Sequence, residues 1–191
     1  MKSIKKAYDL TMTTRALENH TDNPYRFPTQ GYIFLHCLEN SKFGGANTIS
    51  DGFYIAEYLK KNFKDYFHTL TTFHTFFEYQ DENACLQNNC TLIELDNEKS
   101  VSQVRYNNRT EIMPFKNQKD LDKYIEARRK FWSLIKSKTN NLEIKQQSGD
   151  MLILDNYRVL HGRTGYKDTE NKRYFRHCLL YTSPSPRDNP A

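Results

Sequence analysis

His20-Thr21-Asp22 places an imidazole and a carboxylate two residues apart. In an extended chain, residues i and i+2 point to the same side, so this pair can meet one metal ion. The run Asp155-Asn156-Tyr157-Arg158-Val159-Leu160-His161-Gly162-Arg163 sets a second histidine, His161, at the end of a strand, with an arginine on either side and a glycine next to it. Two imidazoles and one carboxylate form the facial set used for non-haem Fe(II), which leaves three adjacent positions open. Zinc hydrolases use the same ligand types, so the set alone leaves the metal open. Each half also has an ordinary reading, as a surface hydrogen bond or as a satisfied strand-end histidine. Fifteen residues after His161 comes Arg176, in a segment that should be the next strand. A guanidinium there can grip the far carboxylate of 2-oxoglutarate in a bidentate pair while the keto-acid end chelates iron. Arg173 competes for that role. The two differ in parity, so only one can face inward, and the expectation falls on Arg176.

These groups need elements to hold them. Tyr32 to Leu38 is a short apolar run after a Pro- and Gly-bearing turn, and reads as a buried strand. Gly44-Gly45 marks a tight turn. Asp51 can cap a helix in which Ala56, Leu59, Phe63, Phe67 and Leu70 share one face. Thr91 to Leu95 and Val101 to Asn107 read as strands. Leu121, Tyr124, Ile125, Phe131, Trp132 and Ile135 make the apolar stripe of a longer helix. Met151 to Leu154 and Tyr157 to His161 return to extended chain. Strands at both ends with helices between them disfavour a doubly wound sheet and suit a β core with a helical insertion.

With 191 residues, the chain has the size of one domain. It is 37% hydrophobic and 27% charged, which excludes a disordered chain. No apolar run reaches the roughly 18 residues of a membrane span. The net charge of +5 is spread without a nucleic-acid stripe. No secretory signal follows Met1, and Cys37, Cys85, Cys90 and Cys178 read as reduced thiols. The expectation is a cytoplasmic protein with a small-molecule substrate and neither nucleic-acid nor membrane partners.

The sequence resembles the Fe(II)- and 2-oxoglutarate-dependent dioxygenases of the taurine dioxygenase superfamily, within it the γ-butyrobetaine and trimethyllysine dioxygenases. The resemblance runs through His20–Arg26, Leu35–Leu38, Gly44-Gly45, Asp51–Phe53, Arg105-Tyr106-Asn107-Asn108, Gly149-Asp150, Asp155–Arg163 and Arg176-His177. It implies that His20, Asp22 and His161 ligate iron and that Arg176 binds 2-oxoglutarate, with Asn47 beside the cosubstrate. It implies a mainly β fold with a helical insertion, a double-stranded β-helix of jelly-roll, cupin-like type, and leaves room for a homodimer of the full-length protein. The implied cofactors are Fe(II), 2-oxoglutarate and O2. The implied reaction couples oxidative decarboxylation of 2-oxoglutarate to succinate with hydroxylation of an unactivated C–H bond, in a trimethylammonium compound such as γ-butyrobetaine.

Such a cation needs aromatic faces. Tyr8 is one candidate wall, and Tyr25, Asn107 and Asn108 are candidate pocket residues whose ordinary reading is turn chemistry and packing. A small phosphonate or sulfonate is the alternative substrate class, and a non-catalytic barrel fragment the alternative of another kind. The run from Cys178 to Asp188 resembles a translated transposase sequencing adapter. The expectation is therefore a dioxygenase domain over 1–177, incomplete at both ends and a poor enzyme as it stands, with an adapter-derived tail over 178–191.

Overall fold

The computed structural model describes residues 10–113, 117–167 and 173–181. After a 3-10 turn at Leu10–Met12 come strands β1 (Leu17–His20), β2 (Tyr32–Glu39), β3 (Phe43–Gly44) and β4 (Asn47–Asp51), then helices α1 (Gly52–Asn62) and α2 (Lys64–Thr72). Strands β5 (His74–Gln80), β6 (Cys85–Thr91), β7 (Ile93–Leu95), β8 (Val101–Val104) and β9 (Glu111–Ile112) lead to helix α3 (Gln118–Ile135). The last strands are β10 (Leu142–Ile144), β11 (Met151–Asp155), β12 (Val159–Arg163), β13 (Tyr166–Lys167) and β14 (Tyr174–Leu180).

The described strands form antiparallel sheets in the orders β1-β12-β4-β10, β11-β2-β14 and β6-β5-β9, with the pairs β13-β3 and β7-β8. This corrects the expected double-stranded β-helix. The fold is mixed α and β, and none of the described sheets closes into a barrel or jelly roll. Closure requires every edge strand to find a partner around the ring. Edge strands β1 and β10 have only four and three residues, too short to carry a ladder onward.

Two apolar clusters organise the packing. Helices α1, α2 and α3 bury Ile55, Leu59, Leu70, Tyr124 and Phe131 with Phe77, Ile93 and Val104 of the strands. Asp51 caps α1 as its sequence position predicts, accepting from the amides of Phe53 and Tyr54. The single helix expected beyond it is two, because Phe63 leaves the helical conformation (φ −142°, ψ 62°). Phe67 and Leu70 still reach the same core. The second cluster, Ile33, Leu35, Cys37, Leu154 and Phe175, backs the β11-β2-β14 sheet. Alternation along β2 turns Ile33, Leu35 and Cys37 inward. Strand β14 runs through Cys178, Leu179 and Leu180, which pair with Phe34, Ile33 and Tyr32. Among the described residues no helix is long and apolar enough to cross a membrane. All four cysteines are free thiols.

Gly162 shows how tightly β12 is seated. A Cβ there would lie 2.4 Å from the Leu17 carbonyl, 2.7 Å from Asn19 Oδ1 and 2.8 Å from Thr48 Oγ1. Backbone cannot yield as a side-chain tip can, so Gly162→Ala should cost about 1–3 kcal/mol of stability. A denaturant midpoint equal to that of the parent chain would contradict this reading.

Candidate metal centre

His20 ends β1 and pairs in register with His161 of β12, so backbone pairing itself brings the two imidazoles together. Their ring centroids are 4.8 Å apart. Beyond His20 the chain leaves the strand and turns at Asn23, which takes the left-handed conformation (φ 48°) that asparagine tolerates. Asp22 is thereby folded back, with Oδ1 3.3 Å from His20 Nε2 and 3.9 Å from His161 Nε2. One donor atom from each of the three residues lies within 4.8 Å of the others, and all three residues are buried.

The bracing around this cluster is polar and long-range. Asn156 is fully buried; its Oδ1 accepts from the Asp22 amide at 2.8 Å and its Nδ2 donates to the carbonyls of Asp22 and Gln30. Thr21 exchanges hydrogen bonds with the backbone of Tyr106, and Asn107 Nδ2 donates to the Thr21 carbonyl. Asn19 links to Thr48, Ser50 and Asn141. Exchanging Asn156 for the near-isosteric leucine would strand a buried amide and two carbonyls. Asn156→Leu should therefore cost about 2–4 kcal/mol. Equilibrium unfolding checks this, and a change below half a kilocalorie would refute it.

The electrostatics suit a cation. Burial pushes the His161 imidazole down to about 3, so it is neutral at ordinary pH and has a lone pair to offer. Burial opposes ionisation of Asp22, but contacts with the imidazoles of His161, His177 and His20 outweigh it and hold the carboxyl well below its ordinary range. His20 Nδ1 lies 2.8 Å from the Glu18 carbonyl; as the protonated nitrogen it leaves Nε2 free to ligate. His161 Nδ1 is buried without a hydrogen-bond partner among the described residues, and Asp22 Oδ2 has the His177 imidazole beside it, with Nε2 at 3.0 Å. Two imidazoles and an ionised carboxylate converging in this way fit a divalent metal ion of the iron or zinc type.

The cavity lies between two sheets. Its lining includes His20, Asp22, Asn47, His161, Gly162 and Arg163 on one side and Leu35 and His177 on the other, with Arg173 also present. Its volume of about 40 Å³ holds little more than a metal ion and a water. A larger guest requires the walls to give way.

Arg173 faces this cavity, and Arg176 does not line it. Phe175 is fully buried against the second cluster, and strand alternation then sends Arg176 to the outer face, opposite His36. Arg173 is 3% exposed, with its guanidinium 3.8 Å from the Phe175 ring centroid. No carboxylate of the described residues pairs with it, and its Nε has no partner. Burial, then the nearby Arg163, pulls it down to about 10. Asn47 also lines the cavity: Gln146 accepts from its Nδ2 at 2.5 Å, turning Oδ1 toward Arg173 at 3.4 Å.

The remaining candidates fall elsewhere. Tyr25 stacks on Tyr79 and bonds to Asn23, outside the cavity. Asn107 holds Thr21, and exposed Asn108 donates to Glu18. Tyr8 lies outside the described residues. Sequence reasoning gave no role to Asn156, Gln146, Arg163 or His177. Arg163 donates to the carbonyls of Leu10, Thr11, Thr13 and Arg15, fastening that segment over the cavity.

Comparison with known proteins places this geometry in context. Residues 2–179 match the family described as "Taurine catabolism dioxygenase TauD, TfdA family". Human gamma-butyrobetaine dioxygenase is 32% identical over 175 residues, 88% of this chain and 45% of that protein. Mitochondrial trimethyllysine dioxygenase of Gallus gallus is 30% identical over 170 residues, 83% of this chain and 40% of the other. The chain thus spans less than half the length of these curated relatives. An asparagine oxygenase solved with Fe(II), hydroxyasparagine and succinate superposes with a TM-score of 0.68 at 14% identity, covering 90% of this chain and 51% of that one. The iron oxygenase OrfP, solved with Fe, gives 0.68 at 16% identity, covering 95% and 56%.

Proposed function

Since the chain belongs to the TauD, TfdA family of dioxygenases, we propose that it forms the metal- and cosubstrate-binding part of an Fe(II)- and 2-oxoglutarate-dependent dioxygenase acting on a small organic substrate. The observation that carries the proposal is the buried guanidinium of Arg173 beside the His20, Asp22 and His161 cluster, with no acidic partner among the described residues. A buried cation left unpaired is costly unless a ligand supplies the anion. A diacid satisfies it with one carboxylate and leaves the other end free for the metal.

In this reading His20, Asp22 and His161 hold iron, while Arg173 and Asn47 orient 2-oxoglutarate. Bound iron and cosubstrate would supply the oxygen activation that no side chain can. The chain's own contribution is positional. Asn156 and Thr21 fix the loop that carries Asp22, Gln146 turns Asn47, and Arg163 fastens the covering segment and keeps water out. The functional unit is taken as residues 1–177, with no role for the run from Cys178 onward, and a cytoplasmic setting is part of the proposal.

For the substrate, the relatives favour a trimethylammonium compound of the γ-butyrobetaine kind. That choice rests on the relatives, because no aromatic side chain of the described residues lines the cavity. Succinate should be quantified with the full-length protein, Fe(II) and 2-oxoglutarate, adding γ-butyrobetaine, trimethyllysine, or a small sulfonate or phosphonate in turn. Succinate stimulated by a trimethylammonium compound supports the proposal. Stimulation by the sulfonate or phosphonate alone would move the substrate class.

A further inference from the structure

His177 lines the cavity, and the functional reading gives it no task. It stands on β14, opposite Leu35 of β2, and so reaches the cavity from the sheet that carries none of the three clustered ligands. Its Nε2 lies 3.0 Å from Asp22 Oδ2. The other oxygen of that carboxylate, Oδ1, faces the imidazole pair at 3.3 and 3.9 Å. The two oxygens therefore have different neighbours. Asn156 fixes the Asp22 backbone, but Oδ2 has no other side chain to hold it among the described residues.

We infer that His177 is a positioning residue that engages Asp22 Oδ2, so that only Oδ1 is presented to a metal ion. The inference rests on reading His20, Asp22 and His161 as a metal site. A carboxylate free to rotate can give a cation one oxygen or both. With one oxygen, the protein fills three positions and leaves three adjacent ones, two for a chelating keto acid and one for oxygen. With both, one of those positions is lost. Geometry also separates His177 from its neighbour: Arg176 points to the opposite face and cannot substitute for it.

Co(II) serves as the probe in the full-length protein, read by its visible ligand-field spectrum and by 2-oxoglutarate titration of the Co(II) form. His177→Leu should alter the spectrum and weaken 2-oxoglutarate binding about 10–100-fold, as loss of a ligand's outer partner commonly does. His177→Gln, whose amide can donate to Oδ2, should stay within about threefold of the parent. An unchanged spectrum and affinity in His177→Leu would overturn the inference. If His177→Leu does not fold, the glutamine variant decides: parent-like behaviour supports the role, and a changed spectrum with weakened binding overturns it. Complete loss of Co(II) in His177→Gln, matching His20→Ala, would make His177 a ligand and also overturn it. Full Co(II) binding in His20→Ala would remove the metal site itself, and with it the inference.

Discussion

Asp22→Ala should eliminate metal binding at the cluster and, with it, 2-oxoglutarate turnover by the full-length protein. Disturbing only the outer partner of a metal ligand costs about 10–100-fold in affinity, so deleting the single anionic ligand should cost more than about a hundredfold. The two imidazoles left behind, with centroids 4.8 Å apart, carry no negative charge to offset a dication. The fold should survive, because Asn156 grips the backbone of residue 22 and not its carboxylate. Isothermal titration with Mn(II) or Fe(II) separates the two effects. A folded Asp22→Ala variant that still binds metal with parent affinity would remove Asp22 from the site.

The second large effect belongs to Arg173. Arg173→Ala should weaken 2-oxoglutarate binding by about 2–4 kcal/mol, roughly thirty- to a thousandfold, because it removes one partner of a buried charged pair. Arg173→Lys keeps the charge but loses the planar fork, and should fall between the two. Arg176→Ala, on the outer face of β14, should change affinity by less than about 0.5 kcal/mol. If Arg176→Ala proves the more damaging, the facing of β14 described above is wrong.

That contrast shows what was legible in the sequence. The His20, Asp22 and His161 set could be read directly, because residue type and i, i+2 spacing are local facts and β1–β12 pairing then joins them in register. For the arginine, parity says only that one of Arg173 and Arg176 can face inward, not which. The structural signal is Phe175: its burial sends the adjacent Arg176 to the outer face, while Arg173, just before the strand, reaches the cavity. Asn156 sits within a motif quoted for other reasons, yet its task is to reach Asp22 across 134 positions of sequence, which no local pattern encodes. The helix stripe of α3 was plain, since Tyr124, Phe131 and Ile135 recur at helical spacing and are all buried. The single helix after Asp51 was not, because Phe63 breaks it without glycine or proline. Architecture was least legible. Strand segments could be marked one by one, but whether short edges such as β1 and β10 continue into a closed barrel depends on pairing partners, and the described sheets stay open.

The most direct test of the iron and 2-oxoglutarate site is release of labelled carbon dioxide from C1 of 2-oxoglutarate by the full-length protein in air. The expected result is release that requires Fe(II), is matched one for one by succinate, and disappears in both Asp22→Ala and Arg173→Ala. Folded, iron-loaded protein that releases none, or Asp22→Ala protein that releases as much as the parent, would contradict it.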